Sequence, residues 1–503
     1  MKSRDQLFQD LKDSKFKKGD TIKIESFAGT GKTTTLEQLF ENYPTKQILY
    51  LVFNKDMQTE AKTRMKKFGN VKVSTIHALA HSFYKREFKN TVLEHYDISP
   101  LVIQELFGLE DLMSACKILD EYKEFLASSN SIVDLKKEIP TNLDIDKEIL
   151  DKTLKEWKEK KEYLFFLPDK RVKFRFSKFI VDILKKQLSG EIHITHDTYL
   201  KLFQLSKPNL SKYDIIAVDE AQDITKAILD IVTIQPSLKI FVGDRYQNIY
   251  GFRKTINALE EIETPHTYEL NISYRIGQPI ADLSMNILSK RYNTPIKIIG
   301  NNVSKVSSES ELKASDKVFK LARKSITLLL EAQECLERGV RYRFKGGISK
   351  YGVSTALNFL KYGSIYYNGE RINKYKIREI YDETEDPELG ILLAIESRFK
   401  TEENLNLLIL NEELSEKDAE VVLTTAHRSK GLEWDNVELL NDFELIPSAI
   451  ASKGDIEEND DSLSITLSDK QEFNLFYVAI TRAKKNLILP YSLKNQIELI
   501  NRL

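Results

Sequence analysis

The segment that most constrains this chain is Ser26-Phe27-Ala28-Gly29-Thr30-Gly31-Lys32-Thr33. It follows the strand-like run Thr21–Glu25 and opens a helix-forming stretch. Glycines between a strand and a helix let successive backbone amides converge on one point, and the helix N-terminus adds a field that favours anions. The pattern predicts a cradle for nucleotide phosphates built from Ser26, Ala28, Gly29, Thr30, Gly31, Lys32, Thr33 and Thr34. Lys32 would reach the β and γ phosphates, and the Thr33 hydroxyl would hold Mg²⁺. The general pattern has glycine where Ser26 stands. Alone, such a loop would serve a kinase, a GTPase or a transporter ATPase.

A second segment narrows the choice. Ile215-Ile216-Ala217-Val218 is an apolar strand that runs into Asp219-Glu220-Ala221-Gln222-Asp223. Acids at the carboxyl end of a parallel strand face the ligand crevice. Asp219 is predicted to bind Mg²⁺, and Glu220 to orient and deprotonate an attacking water. A helix cap made by Asp219 or Asp223 is the structural alternative.

Short apolar runs at Gln47–Phe53, Tyr213–Asp219, Leu238–Gly243, Glu420–Thr425 and Asn486–Pro490 alternate with helical patterns, including one over Phe473–Ala483. That alternation predicts parallel sheets covered by helices. A chain of 503 residues is too long for one core. Two stretches break the alternation: a charged, helix-like one from about Phe83 to His193, and a mixed one from Gly346 to Asp418. Both read as insertions, and Gly454–Ser464 reads as a polar loop. Within the first, Trp157–Lys161 and Lys170–Phe176 mix basic and aromatic residues. They suit either a nucleic-acid grip or a solvated helix face.

Lys and Arg number 75 against 76 Asp and Glu. This balance neither supports nor opposes nucleic-acid binding, because a local groove can carry the positive potential. The two cysteines, Cys116 and Cys335, lack metal-ligand spacing and read as buried thiols in a reducing compartment. No run of about 18 apolar residues suggests a membrane span, and the first twenty residues have no apolar core of a signal peptide.

Further blocks occur in a fixed order. They are Leu51-Val52-Phe53-Asn54-Lys55, Ser74-Thr75-Ile76-His77-Ala78-Leu79-Ala80, Val242–Arg253, Leu270–Arg275, Thr424–Asp435 and Tyr477–Ala483. Together with the loop and the acid pair they resemble the UvrD/Rep branch of superfamily 1 helicases. His196–Ser206, Gly346-Gly347-Ile348 and Asn441-Asp442-Phe443 resemble more closely the helicase core of the F-box DNA helicase family. No F-box segment is evident in the roughly two dozen residues before the phosphate loop.

The resemblance implies an α/β protein with two RecA-like parallel-sheet domains and helical insertions. Residues 1–83 and 196–269 would form the first motor domain, and 84–195 its insertion. Residues 270–345 and 419–503 would form the second, with 346–418 as a reduced insertion. ATP and Mg²⁺ would sit between the motor domains. Arg275 and Arg482 would touch the γ-phosphate, Gln247 would sense it, Tyr274 would stack on adenine, and Glu433 would contact the ribose. Gln6 would read the adenine edge. Single-stranded DNA would cross Phe53, Asn54, Thr75, His77, Tyr250, Phe252 and His427. Family members often carry Trp where Phe252 stands.

The implied activity is ATP-driven, 3′-to-5′ translocation on single-stranded DNA with unwinding of forked duplexes. The rival readings are a translocase that clears proteins or recombination filaments, and a nucleotide-gated DNA sensor in an anti-phage assembly. A cytoplasmic, microbial or phage-encoded protein, with a protein partner in repair, recombination or defence, would fit.

Overall fold

The computed structural model describes residues 2–13, 15–89, 91–131, 170–307, 316–447 and 467–502, with side chains of 170–177 left aside. The stretch Trp157–Lys161, the side chains of Lys170–Phe176 and the loop Gly454–Ser464 lie outside the described residues.

The first sheet has seven strands. They are β1 (Lys2–Ser3), β2 (Thr21–Ser26), β3 (Ile48–Leu51), β4 (Val71–Ser74), β5 (Ile215–Val218), β6 (Leu238–Gly243) and β7 (His266–Leu270). Their spatial order is β1-β7-β2-β6-β5-β3-β4, all parallel. Every residue of β3, β5 and β6 is buried. Helices cover both faces of such a sheet, so its central strands read as continuous apolar runs rather than alternating ones.

Strands β8 (Ile272–Gly277) and β9 (Ile299–Asn302) form a separate parallel pair. The second large sheet holds β10 (Lys305–Ser307), β11 (Val318–Ala322), β12 (Tyr342–Phe344), β15 (Val421–Thr425), β16 (Trp434–Leu439) and β17 (Ala483–Ile488). Its order is β10-β17-β16-β11-β15-β12, again all parallel. Between β12 and β15 the chain adds an antiparallel hairpin, β13 (Ser364–Tyr367) and β14 (Glu370–Asn373), among four helices.

Both sheets follow the α/β expectation, with local corrections. The last strand begins at Ala483 rather than Asn486. Lys484 and Lys485 disguise its start, and both pair with Asp435 on β16. The preceding helix spans Lys470–Ile480, capped by the Asp469 side chain on Glu472 N–H. Cys116 and Cys335 are both free and buried. No helix among the described residues is long and apolar enough to cross a membrane.

The two inserted regions share one hydrophobic core. Ile103, Leu119, Tyr122 and Ile183 from the first belong to the same buried cluster as Ile377, Leu389 and Ile395 from the second. Helix Lys374–Thr384 packs against helix Leu112–Ala127. Ile377 is fully buried on that helix, so Ile377→Ala removes three methyl or methylene groups from a packed site. It should lower stability by about 2–5 kcal/mol in chemical denaturation; a loss below about 0.5 kcal/mol would show that this core does not hold the insertions.

Candidate nucleotide site and nucleic-acid face

Strand β2 delivers the chain to the loop, and the helix Lys32–Glu41 receives it. Gly29 and Gly31 have φ of +72° and +80°, a left-handed region that costs glycine nothing. Ser26, the residue departing from the general pattern, donates its hydroxyl to the Gly243 carbonyl at 2.7 Å and ties β2 to β6. Thr30 donates its hydroxyl to Phe27 O at 2.9 Å. Thr34 Oγ1 accepts from Arg64 at 3.2 Å.

Gly29 has a second reason to lack a side chain. A Cβ there would fall 2.3 Å from Arg275 Cβ and 2.8 Å from Ser273 Oγ. The loop therefore packs directly against β8. Tyr274 N–H donates to Gly29 O at 2.9 Å, and Ser273 Oγ to Ala28 O at 2.7 Å.

The ends of β5 and β6 place four buried or nearly buried carboxyl groups by the loop: Asp219, Glu220, Asp223 and Asp244. Asp219 accepts from Tyr50 Oη at 2.6 Å and from Glu220 N–H at 2.9 Å. Glu220 takes a left-handed backbone, φ +50°, which costs a non-glycine residue roughly 1 kcal/mol or more. That turn carries its carboxylate to Lys32 Nζ at 3.2 Å and Gln222 Nε2 at 2.5 Å. Burial opposes ionisation of Glu220, but Lys32 and Lys430 outweigh it and hold the group below its ordinary pKa. Burial, followed by the neighbouring Glu220 charge, pushes Asp219 up. Burial likewise raises Asp223 and Asp244 to about 6. On Lys32 burial acts downward, yet Glu220, Asp244 and Asp219 together raise it, so it is a cation at neutral pH.

Strand β8 and the segments leading into β16 and β17 supply the facing groups. Arg275 donates Nε to Glu433 at 2.6 Å, so these two residues engage each other. Arg482 is 1% exposed, and its guanidinium donates to Val478 O, Leu432 O and Thr481 Oγ1. Among the described residues no carboxylate lies within ion-pair distance of it. Burial, then repulsion from Arg275, lowers its pKa to about 9, which still leaves it charged at neutral pH. Tyr274 is exposed. Gln247 donates its amide to Asp244 at 2.7 Å. Gln6 is exposed on helix Arg4–Lys12 and donates to Asp10 at 2.8 Å.

Several contacts across the two lobes were not foreseen. Tyr477 Oη donates to Asp244 at 3.0 Å and accepts from Ala28 N–H at 2.9 Å. Lys430 pairs with the buried Asp223 and donates to Gln247 O at 2.6 Å. Asp223, Asp244, Lys430 and Tyr477 all lie inside the quoted blocks; Tyr50 had no sequence signal beyond its strand.

A cluster of aromatic rings lies beside this network. Phe53 and Tyr250 stack at 5.5 Å and 13°, Tyr250 meets Phe252 edge-on at 6.1 Å, and Phe252 meets His427 at 6.4 Å. Arg253 sits 5.7–5.8 Å from both Tyr250 and Phe252, and Lys430 is 5.0 Å from Tyr250. Phe252 is 58% exposed, an unusual position for a phenyl ring, whereas Phe53 and Tyr250 are half-buried. Asn54 and Thr75 cap helices, accepting from Met57 N–H at 2.9 Å and Ala78 N–H at 3.1 Å. His77 Nε2 lies 3.8 Å from Asp197.

With this geometry in hand, the chain can be set beside known proteins. Residues 9–264 match the UvrD/REP helicase N-terminal domain, and residues 199–494 the UvrD-like helicase C-terminal domain. F-box DNA helicase 1 of Gallus gallus is 30% identical, over 98% of this chain and 49% of its own length. F-box DNA helicase protein 1 of Schizosaccharomyces pombe is 28% identical, over 94% and 55%. The ATP-dependent DNA helicase srs2 of the same yeast is 33% identical over 95 residues, 17% of this chain and 11% of its own. The chain thus spans about half the length of the two F-box helicases it matches. On the strength of both domain matches and the near full-length likeness, the chain belongs to the UvrD-like family of helicases.

Proposed function

We propose that this protein is an ATP-driven DNA helicase that moves 3′-to-5′ on single-stranded DNA. One observation carries the nucleotide half of the reading: the buried, charged Arg482 lacks a carboxylate partner among the described residues, beside a loop whose pattern suits phosphates. Leaving a buried cation without a counter-charge costs several kcal/mol, and a triphosphate between Lys32 and Arg482 would supply one. The polarity rests on the family resemblance alone. The motor lobes would be 1–83 with 196–269 and 270–345 with 419–503, carrying 84–195 and 346–418 as insertions.

The donor set fits a nucleotide with a divalent ion. Thr33 and Asp219 would hold Mg²⁺, which shields phosphate charge, with phosphate and water completing its oxygen shell. Lys32 leaves Glu220 to meet the β and γ phosphates. Glu220, so released, orients and deprotonates the attacking water. Arg275 exchanges Glu433 for the γ-phosphate, and Arg482 joins it; guanidinium groups suit charge that spreads over phosphoryl oxygens. Glu433 is then free for the ribose, Tyr274 stacks on adenine, and Gln6 must release Asp10 to read the base edge. Gln247, through Asp244 and Lys430, carries the state of the γ-phosphate to Tyr250. The DNA bases stack on Phe252, Tyr250 and Phe53, while Asn54, Thr75, His77 and His427 contact its backbone.

The first test is the ATPase rate with and without single-stranded DNA. Stimulated hydrolysis is expected; a rate indifferent to DNA would point to a sensor. Lys32→Ala should remove that stimulated turnover while the far-ultraviolet spectrum stays unchanged. Arg482→Ala should slow hydrolysis by roughly 10³-fold or more, and near-normal turnover would refute its placement. Phe252→Ala, at an exposed position, should hydrolyse ATP but displace strands poorly, since one stacked base is worth about 1–3 kcal/mol; unaltered displacement would make Phe252 a packing residue only.

His427 should be a neutral hydrogen-bonding group at physiological pH. Burial, then the charges of Arg323 and Lys430, lowers its pKa to about 4. A folded-state value below the unfolded one of about 6.5 means its stabilising effect is complete above that pH and is lost as pH falls towards 4. Imidazole resonances followed by NMR should show His427 titrating below the ordinary histidine range; a midpoint near 6.5 would contradict this environment.

A further inference from the structure

The hairpin of β13 and β14 presents a two-sided surface with only one side used. Ile365, Tyr367 and Ile372 point into the core shared by the insertions. By strand alternation, Ser364, Tyr366, Arg371 and Asn373 point the other way. In the ladder Tyr366 lies directly opposite Arg371, and Ser364 opposite Asn373. The turn between the strands is Asn368-Gly369, with φ of +47° and +85°, a pair suited to a two-residue hairpin turn. A Cβ at Gly369 would fall 3.0 Å from the Tyr96 ring, so the turn is braced by the first insertion. The hairpin is therefore held from beneath and at its tip, while its outer face stays uncovered.

That face is unusual in composition. Tyr366 is 77% exposed, and Tyr362, at the end of the adjoining helix Val353–Tyr362, is 61% exposed. The two rings and Arg371 border a cavity of about 340 Å³ whose other walls are Thr355, Asn358, Ser364 and Ile365. Arg371 donates Nε to Ser364 Oγ at 3.0 Å, and among the described residues it has no carboxylate partner. Lys361 lies 5.3 Å over the Tyr362 ring.

Two exposed aromatic rings, an arginine without a counter-ion, a lysine and small hydroxyl and amide groups are the parts of a single-strand binding surface. Rings accept any base by stacking, the cations meet phosphate, and Ser, Thr and Asn donate to phosphate or sugar. Tyrosine and arginine also suit protein interfaces, but Arg371, with no carboxylate partner among the described residues, and Lys361 beside Tyr362 favour a polyanion. The cavity lies at the small end of ligand-sized clefts, about 300–1,000 Å³. We propose that the outer face of this hairpin is a second contact for single-stranded DNA, with a base stacked on Tyr366 or Tyr362 and its phosphate on Arg371. It is built from residues separate from the Phe53–Tyr250–Phe252 cluster. The inference rests on the proposed DNA motor, but its location is independent of that reading.

The test uses the full-length protein and an iodouracil-substituted single-stranded oligonucleotide. Photo-crosslinks mapped by mass spectrometry should fall on Tyr362 or Tyr366 as well as on the motor cluster. The double variant Tyr366→Ala, Arg371→Ala should lose the hairpin crosslink and bind a long oligothymidylate roughly 5- to 100-fold more weakly. Its thermal midpoint and its DNA-stimulated ATPase at saturating DNA should be unchanged, because both side chains are exposed and lie outside the nucleotide site. Crosslinks confined to the motor cluster, or wild-type affinity in the double variant, would overturn the proposal and leave this face to a protein partner. If the wild-type ATPase ignores DNA while the hairpin still crosslinks, the motor reading fails and this one stands.

Discussion

A single phenol joins the three parts on which the rest depends. The hydroxyl of Tyr477, on the second lobe, accepts from the Ala28 amide of the phosphate loop and donates to Asp244 at the end of β6. All three groups are buried. Around this point Gly29 lies so close to β8 that no side chain fits between them. Buried polar groups must be paired to avoid a desolvation cost of about 1–3 kcal/mol each. The loop, the end of β6 and the helix leading to Arg482 are therefore constrained as one unit.

The electrostatics of this unit are asymmetric. On one side, four carboxyl groups cluster with Lys32 and Lys430 as their cations. On the other, Arg482 is buried with neutral acceptors only, and Arg275 is held by a half-exposed Glu433. Lys32–Glu220 and Arg275–Glu433 each pair a cation with an acid at this site. These two ion pairs keep the four charges compensated. Lys430 extends the link outward, because the ammonium that neutralises Asp223 also lies over the Tyr250 ring.

The insertions contribute differently. Their shared hydrophobic core joins segments that are far apart in the chain, and it supports the β13–β14 hairpin from below. A hairpin alone is marginally stable in water. Packing one face on this core and bracing its turn on Tyr96 lets it show Tyr366 and Arg371 outward without losing its register.

Much of the site was legible in the sequence, and the reason is local. The phosphate loop and the Asp219-Glu220 strand end are contiguous, and strand–loop–helix periodicity places their side chains without knowledge of distant contacts. The α/β class, the four central strands of the first sheet and the buried cysteines followed from the same short-range patterns. Only the tertiary structure decided the rest. Tyr477 meets Ala28 across 449 positions and Asp244 across 233, and no periodicity encodes such pairings. The hydroxyl of Ser26, where the general pattern has glycine, bonds β6, and the two lysines that follow Ala483 in β17 find Asp435 on β16. Which charges pair, which side chains are buried and which face of a hairpin stays open depend on what folding brings alongside, and that is set by the packing of the whole chain.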